Sequence, residues 1–376
     1  MQPKAARSIS IEALRLIAVA GIAIFHTFQW TFQAICTGVP EYAALAAFPY
    51  SGLLGFINLL GCWANEVFFM ISGYFLIASA ARAWSDGSTW RVQTQRTTQR
   101  LGKVILPTAF YCVTALTWST VIFPIPDVSL HTHYWYTLGL EFIWVYAATV
   151  CMAPLFGLAK NRLGKKSYTA AIVAVGILVF IINGYLAAQS MANSGEFSWL
   201  QKILSAITYV DAFLVGGLLR DYTESTGPLK ARAVAKQTFT AVLIIAIGLE
   251  AALSVTGNLS AMAMLSYKST SIVSFALAAT SLLFAATRDN TSNHPRTANA
   301  IVTLSAATLG FYVMQSLTSS IWRPVFNTTL ANMLVNTNNP APACIAAGIA
   351  ISIVFALLLL IVDAARGKIV RVLKRQ

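Results

Sequence analysis

Apolar segments recur from one end of the chain to the other, separated by short polar connections. A helix needs about 20 mainly apolar residues to cross the hydrocarbon core of a membrane. The pattern therefore predicts an all-α, polytopic membrane protein with about ten transmembrane helices. They are predicted near residues 10–32, 60–81, 104–124, 136–157, 168–188, 200–219, 237–255, 269–287, 300–321 and 345–365. We expect residues 1–376 to form a single transmembrane domain with no soluble domain appended.

The composition supports membrane insertion and excludes a soluble enzyme of ordinary design. Hydrophobic residues make up 57% of the chain and charged residues only 10%, whereas soluble chains carry about 25% charged residues. So few charges cannot cover a water-facing surface for a chain of this length.

The net charge of +13 has two interpretations, nucleic-acid binding or membrane topology, and the positions of the basic residues decide between them. All but four of the 26 Lys and Arg residues fall near the chain ends or in every second connection. The exceptions are Arg15, inside the first span, and Lys202, Lys268 and Arg323 in the opposite connections. The positive-inside rule therefore predicts that both termini are cytoplasmic. Nucleic acid is not an expected partner.

Six ionisable residues lie within the predicted spans, where a charge is costly and a functional role is the first hypothesis. They are Arg15, His26, Glu66, Glu141, Asp211 and Glu250. Counted at about 1.5 Å per residue, His26, Glu66 and Glu141 share one level in the outer half of the membrane. An imidazole beside a carboxylate is a common general base, so His26 with Glu66 or Glu141 is a candidate. A buried histidine that bonds a backbone carbonyl is an equally good interpretation.

Arg96, Arg100 and Lys103 follow one another at spacings of four and three, so they share one face of the helix that enters the third span. Such a face suits phosphate groups. Lipid headgroups attract the same residues, which is the simpler interpretation of any basic cluster here. Arg15 has the same two interpretations, because its long side chain can reach the headgroups.

The five cysteines show no CxxC or Cys/His ligand spacing, so no metal site is predicted. Cys36 and Cys62 both lie toward the outer side and could pair in an oxidising compartment. Free thiols packed among the helices are the favoured prediction.

Two motifs in the first two spans are typical of a known family. In the first span, Arg15 and His26 have ten residues between them, and Ile-Glu-Ala-Leu precedes the arginine at 11–14. In the second span, Glu66 stands before Phe-Phe-Met-Ile-Ser-Gly-Tyr at 68–74. Both motifs resemble acyltransferase family 3, the membrane-embedded, acyl-CoA-dependent acyltransferases that include polysaccharide O-acetyltransferases.

Later segments are similar to the same family, with two departures. Residues 100–107 resemble its basic stretch ending in proline, and His-Tyr-Trp-Tyr at 133–136 resembles a weaker motif at the outer end of the fourth span. Many members carry glutamate five residues after that tryptophan, whereas this chain has Leu140 there and Glu141 next. Gln315 stands where the family often has histidine, so no catalytic role is assigned to it.

The resemblance implies an enzyme that moves an acyl group, expected to be acetyl, from cytoplasmic acyl-CoA to a hydroxyl of a cell-envelope glycan or glycolipid. The plasma membrane is the expected location, and no permanently bound cofactor or metal is expected. His26 is implied as the general base, with Glu66 orienting it and Arg15 in the same site. Six further residues are expected to contact the substrates. The CoA phosphates are expected to bind Arg96, Arg100 and Lys103. The acceptor is expected to contact Glu141, His133 and Trp135.

A transporter or flippase for a lipid-linked or polymeric sugar is the alternative, because buried carboxylates and a histidine also suit proton coupling. The basic face on the helix entering the third span favours the enzyme, since a proton-coupled sugar carrier does not need it. A structural scaffold has no motif in its favour.

Overall fold

The computed structural model describes residues 8–129, 140–192, 198–266, 270–288 and 295–373, and these residues form helices without a strand. The predicted all-α class is therefore confirmed. A short 3-10 turn at Pro40–Tyr42 joins the first two helices. The helices are α1 (Ile9–Cys36), α2 (Ala43–Ala46), α3 (Tyr50–Ser85), α4 (Trp90–Val121), α5 (Glu141–Ala192), α6 (Ser198–Ser225), α7 (Pro228–Val255), α8 (Leu259–Leu265), α9 (Ile272–Ala286), α10 (Pro295–Ser305), α11 (Thr308–Leu317), α12 (Ser319–Asn336) and α13 (Pro340–Leu373).

Seven of these helices, α1, α3, α4, α5, α6, α7 and α13, are long and apolar enough to cross a membrane. The pair α10 and α11 passes the same test across a 44° bend, whereas α9 is apolar but shorter. α5 contains two of the predicted spans, because its helical course breaks at Gly164, where φ is 73°. Each predicted span thus corresponds to a helix, to half of α5 or to the bent pair. The prediction of a polytopic helical membrane protein is confirmed.

The helix α12 has no counterpart among the predicted spans. The span expected near 300–321 ends early, because α11 stops at Leu317 and a new helix begins at Ser319. Polar residues such as Arg323 and Asn327 interrupt the apolar pattern of α12, so a search for apolar runs does not find it. α12 packs against α13 and α1.

The contact between α3 and α6 forms the centre of the bundle. A methyl group on Gly73 would lie 1.7 Å from the carbonyl oxygen of Phe213, and one on Gly216 would lie 2.0 Å from that of Met70. Small residues allow such direct contact between helix backbones in membrane proteins. The glycine of the Ser-Gly motif therefore packs α3 against α6.

Ion pairs join helix ends on the side predicted to be cytoplasmic. Lys160, at the end of the first half of α5 just before the break at Gly164, pairs with Asp221 near the end of α6. The Asp363 carboxylate on α13 accepts hydrogen bonds from the Tyr111 hydroxyl at 2.7 Å and from Arg366 Nε at 2.7 Å. These contacts join α5 to α6 and α4 to α13.

None of the five cysteines, all of which lie in the described ranges, forms a disulfide. The Cys36 thiol contacts the carbonyl oxygen of Leu259 at 3.8 Å, and the Cys62 thiol contacts that of Ser266 at 3.6 Å. The favoured prediction, in which Cys36 and Cys62 do not form a disulfide, is therefore the one that the structure shows.

Candidate active site

A cavity of about 680 Å³ lies among α1, α3, α5, α6, α11 and α12. Aromatic side chains from four helices form part of its wall, namely Phe25, Phe142, Tyr209 and Tyr312. Its polar and ionisable lining residues include His26, Asn65, Glu141, Lys202, Ser316 and Arg323. The cavity thus combines an apolar wall with several groups able to donate, accept or carry charge, as ligand sites commonly do.

The position of His26 agrees with the depth expected from the sequence. His26 lies about 25 Å along α1 from Ile9, at about 1.5 Å per residue, which is the outer half of the helix. Glu141 begins α5 and lines the same cavity. The structure therefore brings together two of the three groups predicted to share one level, His26 and Glu141.

Two side chains hold one nitrogen of the His26 ring. The Arg323 guanidinium donates from Nη2 to Nδ1 over 3.2 Å, and the Gln29 Oε1 atom lies 3.4 Å from the same nitrogen. Arginine only donates hydrogen bonds, so the contact with Arg323 needs a lone pair on Nδ1. The Gln29 oxygen only accepts, so the contact with Gln29 needs a proton on Nδ1. These two contacts require different tautomers of the imidazole. The local geometry therefore offers His26 two alternative states.

Glu66 does not contact His26. Its side chain is fully buried, and its Oε2 atom accepts a hydrogen bond of 2.9 Å from the Ser274 hydroxyl on α9. The preceding residue, Asn65, lines the cavity instead. Consecutive residues on a helix point about 100° apart, so Asn65 faces the cavity while Glu66 faces α9.

Arg15 lies below the cavity and pairs within its own helix. Its Nη1 atom donates to the Glu12 carboxylate over 2.9 Å. At 3.6 residues per turn, Arg15 precedes His26 by about three turns, or about 16 Å, and so falls on nearly the same face of α1. Arg15 and His26, the two residues of the first-span motif, are therefore far apart along the helix axis but lie on the same face of α1.

The three residues of the basic face of α4 differ in how deeply they are buried. Arg96 and Lys103 are exposed, whereas Arg100 is half-buried and donates from Nη2 to the Ser79 hydroxyl over 3.2 Å. The other terminal nitrogen of Arg100 is buried without a hydrogen-bond partner among the described residues. Arg100 therefore keeps donor capacity for a ligand.

Tyr146 connects the basic face to the cavity wall. It interacts electrostatically with Arg100, and its hydroxyl lies 3.0 Å from the hydroxyl of Ser72, the serine of the Ser-Gly motif. Val145, its neighbour on α5, lines the cavity. On α3, Ser79 lies about 21 Å below Asn65 at about 1.5 Å per residue. Tyr146 and Ser72 occupy the space between these levels.

The other buried acids lie away from the cavity lining. Glu250 on α7 is 1% exposed, and neither of its carboxylate oxygens has a hydrogen-bond partner among the described residues. Asp211 on α6 approaches Gly176. His133 and Trp135, expected near the acceptor, lie outside the described residues. In the described ranges, no group of three or more His, Cys, Asp and Glu side chains is arranged to hold a metal ion.

Two residues that contact His26, and one charged residue of the cavity wall, received no site role from the sequence. Gln29 and Arg323 contact His26, and Lys202 lines the same wall. A signal existed for the two basic residues, since Lys202 and Arg323 are two of the three cations in the connections opposite the basic ones. Gln29 follows His26 by one helical turn, which is the spacing at which side chains meet.

Comparison with protein families agrees with the motifs. The model of an acyltransferase domain, acyltransferase family 3, matches residues 8–360. No curated protein and no solved structure matches the chain. The match covers nearly the whole chain, from the start of α1 with Arg15 and His26 to the middle of α13. The chain therefore belongs to acyltransferase family 3 and is a membrane acyltransferase.

Proposed function

We propose that the protein transfers an acyl group, expected to be acetyl, from cytoplasmic acyl-CoA to a hydroxyl of a cell-envelope glycan or glycolipid at the plasma membrane. One observation carries the proposal. His26, the only histidine in the described part of the chain, lines a cavity of about 680 Å³ in the outer half of the bundle. A neutral imidazole is the side chain best suited to accept a proton near neutral pH.

His26 acts as the general base through Nε2 when the proton of the neutral ring is on Nδ1, where it forms a hydrogen bond to the Gln29 oxygen. Nε2 then removes the proton from the acceptor hydroxyl as its oxygen attacks the thioester carbonyl. The carbon–sulfur bond breaks, the proton passes from His26 to the leaving thiolate, and free CoA results. The same groups would serve an acyl-histidine intermediate, with Nε2 as the nucleophile in a first step.

The imidazolium that forms during transfer needs a negative group nearby, because Arg323 repels it. Glu141 lines the same cavity and is the acidic residue available there. It takes the place that the sequence had assigned to Glu66, which bonds Ser274 on the far side of α3. Asn65, whose Oδ1 is buried and unbonded among the described residues, supports orientation of the acceptor hydroxyl.

The donor is expected to enter from the side of α4. Arg100 offers an unbonded guanidinium nitrogen, with Arg96 and Lys103 exposed one turn to either side. These residues suit the phosphates of CoA. The pantetheine chain would then pass Tyr146 and reach the cavity. Arg15 lies on the His26 face of α1 about three turns lower, so we assign it to this chain rather than to the thioester oxygen.

The proposal is tested by mass spectrometry of envelope glycans from cells that lack the gene and are complemented with either wild type or His26→Gln. Wild type should restore an acyl mass on a glycan, and His26→Gln should not, although it reaches the membrane at the same level. Complementation by His26→Gln equal to that of wild type would contradict the role of His26.

Transport of a sugar remains a second candidate because of Glu250. Its buried carboxylate lacks hydrogen-bond partners among the described residues, as a proton-carrying group would. Purified protein that hydrolyses acetyl-CoA supports the enzyme. Accumulated intracellular glycan in the deleted strain, with no missing acyl mass, supports transport.

A further inference from the structure

The cavity around His26 concentrates basic side chains on the side of the protein that has almost none. Most Lys and Arg residues belong to the opposite connections. Lys202 on α6 and Arg323 on α12 nevertheless line the same cavity. Topology does not account for these two cations, because the positive-inside rule disfavours them there.

Arg323 has unused binding capacity. It is half-buried, and its Nε atom is buried without a hydrogen-bond partner among the described residues. Its guanidinium lies 5.5 Å from the centre of the neighbouring Trp322 ring. In the described ranges, no carboxylate forms an ion pair with Arg323 or Lys202, although Glu141 lines the same cavity. A partly buried cation such as Arg323 is usually completed by an anion, and the exposed Lys202 lines the same cavity.

The contact between Arg323 and His26 also holds the histidine in an inactive tautomer. Because Arg323 donates to Nδ1, the neutral ring carries its proton on Nε2 and has no free lone pair with which to accept another. The active tautomer has its proton on Nδ1, and this N–H donates a hydrogen bond to Gln29 Oε1, 3.4 Å away. His26 becomes a base only when Arg323 leaves Nδ1.

We propose that the acceptor carries an anionic group, a carboxylate or a phosphate, that binds between Arg323 and Lys202 and draws the Arg323 guanidinium away from His26. The ring then gives its Nε2 proton to water and takes a proton from water at Nδ1, so it stays neutral while the lone pair moves to Nε2. Acceptor binding thereby activates the base. The inference rests on the proposed function, because it names the acceptor class of the same site.

The tautomer is observed directly by nitrogen NMR of the full chain in nanodiscs with ¹⁵N-labelled histidine, using His26→Gln to identify the His26 signals. Free wild type should show a proton on Nε2. Glucuronate or glucose 6-phosphate should move the proton to Nδ1, whereas glucose should not. A response to glucuronate alone assigns a carboxylate, and a response to the phosphate alone assigns a phosphate. A proton on Nδ1 in free wild type, or no response to either anion, overturns the proposal.

Variants separate the two basic residues. Arg323→Gln should show the Nδ1 proton without ligand and no response to anions. Lys202→Gln should keep the tautomer of free wild type but bind the effective anion about tenfold more weakly, since a charge-assisted hydrogen bond is lost. Arg296→Gln, which changes an exposed basic residue of α10 outside the cavity, is the matched control and should behave as wild type. Equal behaviour of all three variants contradicts the assignment.

Acetyl transfer by the same preparations distinguishes this inference from the proposed function. Wild type should use an anionic sugar with a higher kcat/KM than glucose, and Arg323→Gln should lose that preference through a raised KM. Transfer with equal kcat/KM to all three sugars overturns the anionic acceptor and leaves the enzyme standing. No transfer to these sugars or to envelope glycans overturns the proposed function itself.

Discussion

The charges at the cytoplasmic helix ends and those in the outer cavity are arranged in opposite ways. At the helix ends, Lys160 pairs with Asp221, and Arg366 and Tyr111 share the Asp363 carboxylate. In the cavity, Arg323 donates to a histidine and keeps an unbonded nitrogen. Pairing offsets the desolvation of a buried charge, so paired groups are typical of structural sites. Groups left open are where a ligand can bind.

Arg100 shows that the difference does not follow the side of the membrane. It lies toward the cytoplasmic end of the bundle yet keeps an unbonded terminal nitrogen, whereas Arg323 in the outer half keeps an unbonded Nε. Open cations therefore occur at two levels, those at which we propose that the donor and the acceptor bind. Four substitutions can break or sharpen this distinction.

The largest effect is expected at His26. His26→Gln should lower the rate of acyl transfer by about 10²–10⁴-fold, which is the usual contribution of general acid–base catalysis. Thermal unfolding should stay as in wild type, because the partners of His26 are not a structural pair. Initial rates with labelled acetyl-CoA provide the measurement, with Trp30→Phe on the exposed face of α1 as control. A shift in unfolding temperature with retained turnover would place His26 among the structural groups.

The next largest effect is expected at Asp363, and it is an effect on the free energy of unfolding instead of on the rate of acyl transfer. Asp363→Ala leaves Arg366 and the Tyr111 hydroxyl without their shared acceptor, and breaking such a buried pair costs about 3 kcal/mol or more. The unfolding midpoint in detergent should fall. The kcat of the remaining folded protein should match wild type. A loss of kcat at unchanged stability would contradict the structural role of the Asp363 pair.

A smaller effect is expected at Arg100. Arg100→Gln should raise the KM for acetyl-CoA by at least about tenfold and leave kcat nearly unchanged, because one charge-assisted hydrogen bond contributes about 1.5–3 kcal/mol. Arg91→Gln, at an exposed position of the same helix, is the matched control. Equal KM values for wild type and Arg100→Gln would remove Arg100 from the donor site.

The smallest effect is expected at Glu224. Its ion pair with Arg220 is 2.6 Å long, but the Glu224 side chain is 48% exposed, so Glu224→Gln should change stability by less than about 1 kcal/mol. Arg220 also stacks over the Tyr74 ring at 5.0 Å, which the substitution preserves. Chemical unfolding of the variant beside Asp363→Ala measures the contrast. Equal destabilisation by both would mean that burial does not separate the two pairs.

The helices and the depth of the site could be predicted from the sequence, because a bilayer demands long apolar runs and penalises charges inside them. His26 and Glu141 were placed at one level by counting residues, and both line the cavity. Depth along a helix does not give rotation about it. One residue separates Asn65, which faces the cavity, from Glu66, which faces Ser274.

The partner of His26 could not be predicted for two reasons. Arg323 lies 297 residues away in the chain, so no local spacing connects them. It also belongs to α12, whose polar residues hide it from a search for apolar spans. The family resemblance identified His26 but carried no information on the residues that select its tautomer.

The glycine contact between α3 and α6 restricts how the site can change shape. Backbones that touch at Gly73 and Gly216 leave no side chains to repack, so these helices move as one body. Asn65 on α3 and Lys202 on α6 both belong to that body. A large acceptor of the proposed kind is therefore expected to need outward displacement of α1, α11 or α12. Cross-links that fix α1 to α3 are then expected to trap the enzyme, whereas cross-links between α3 and α6 are expected to leave turnover intact.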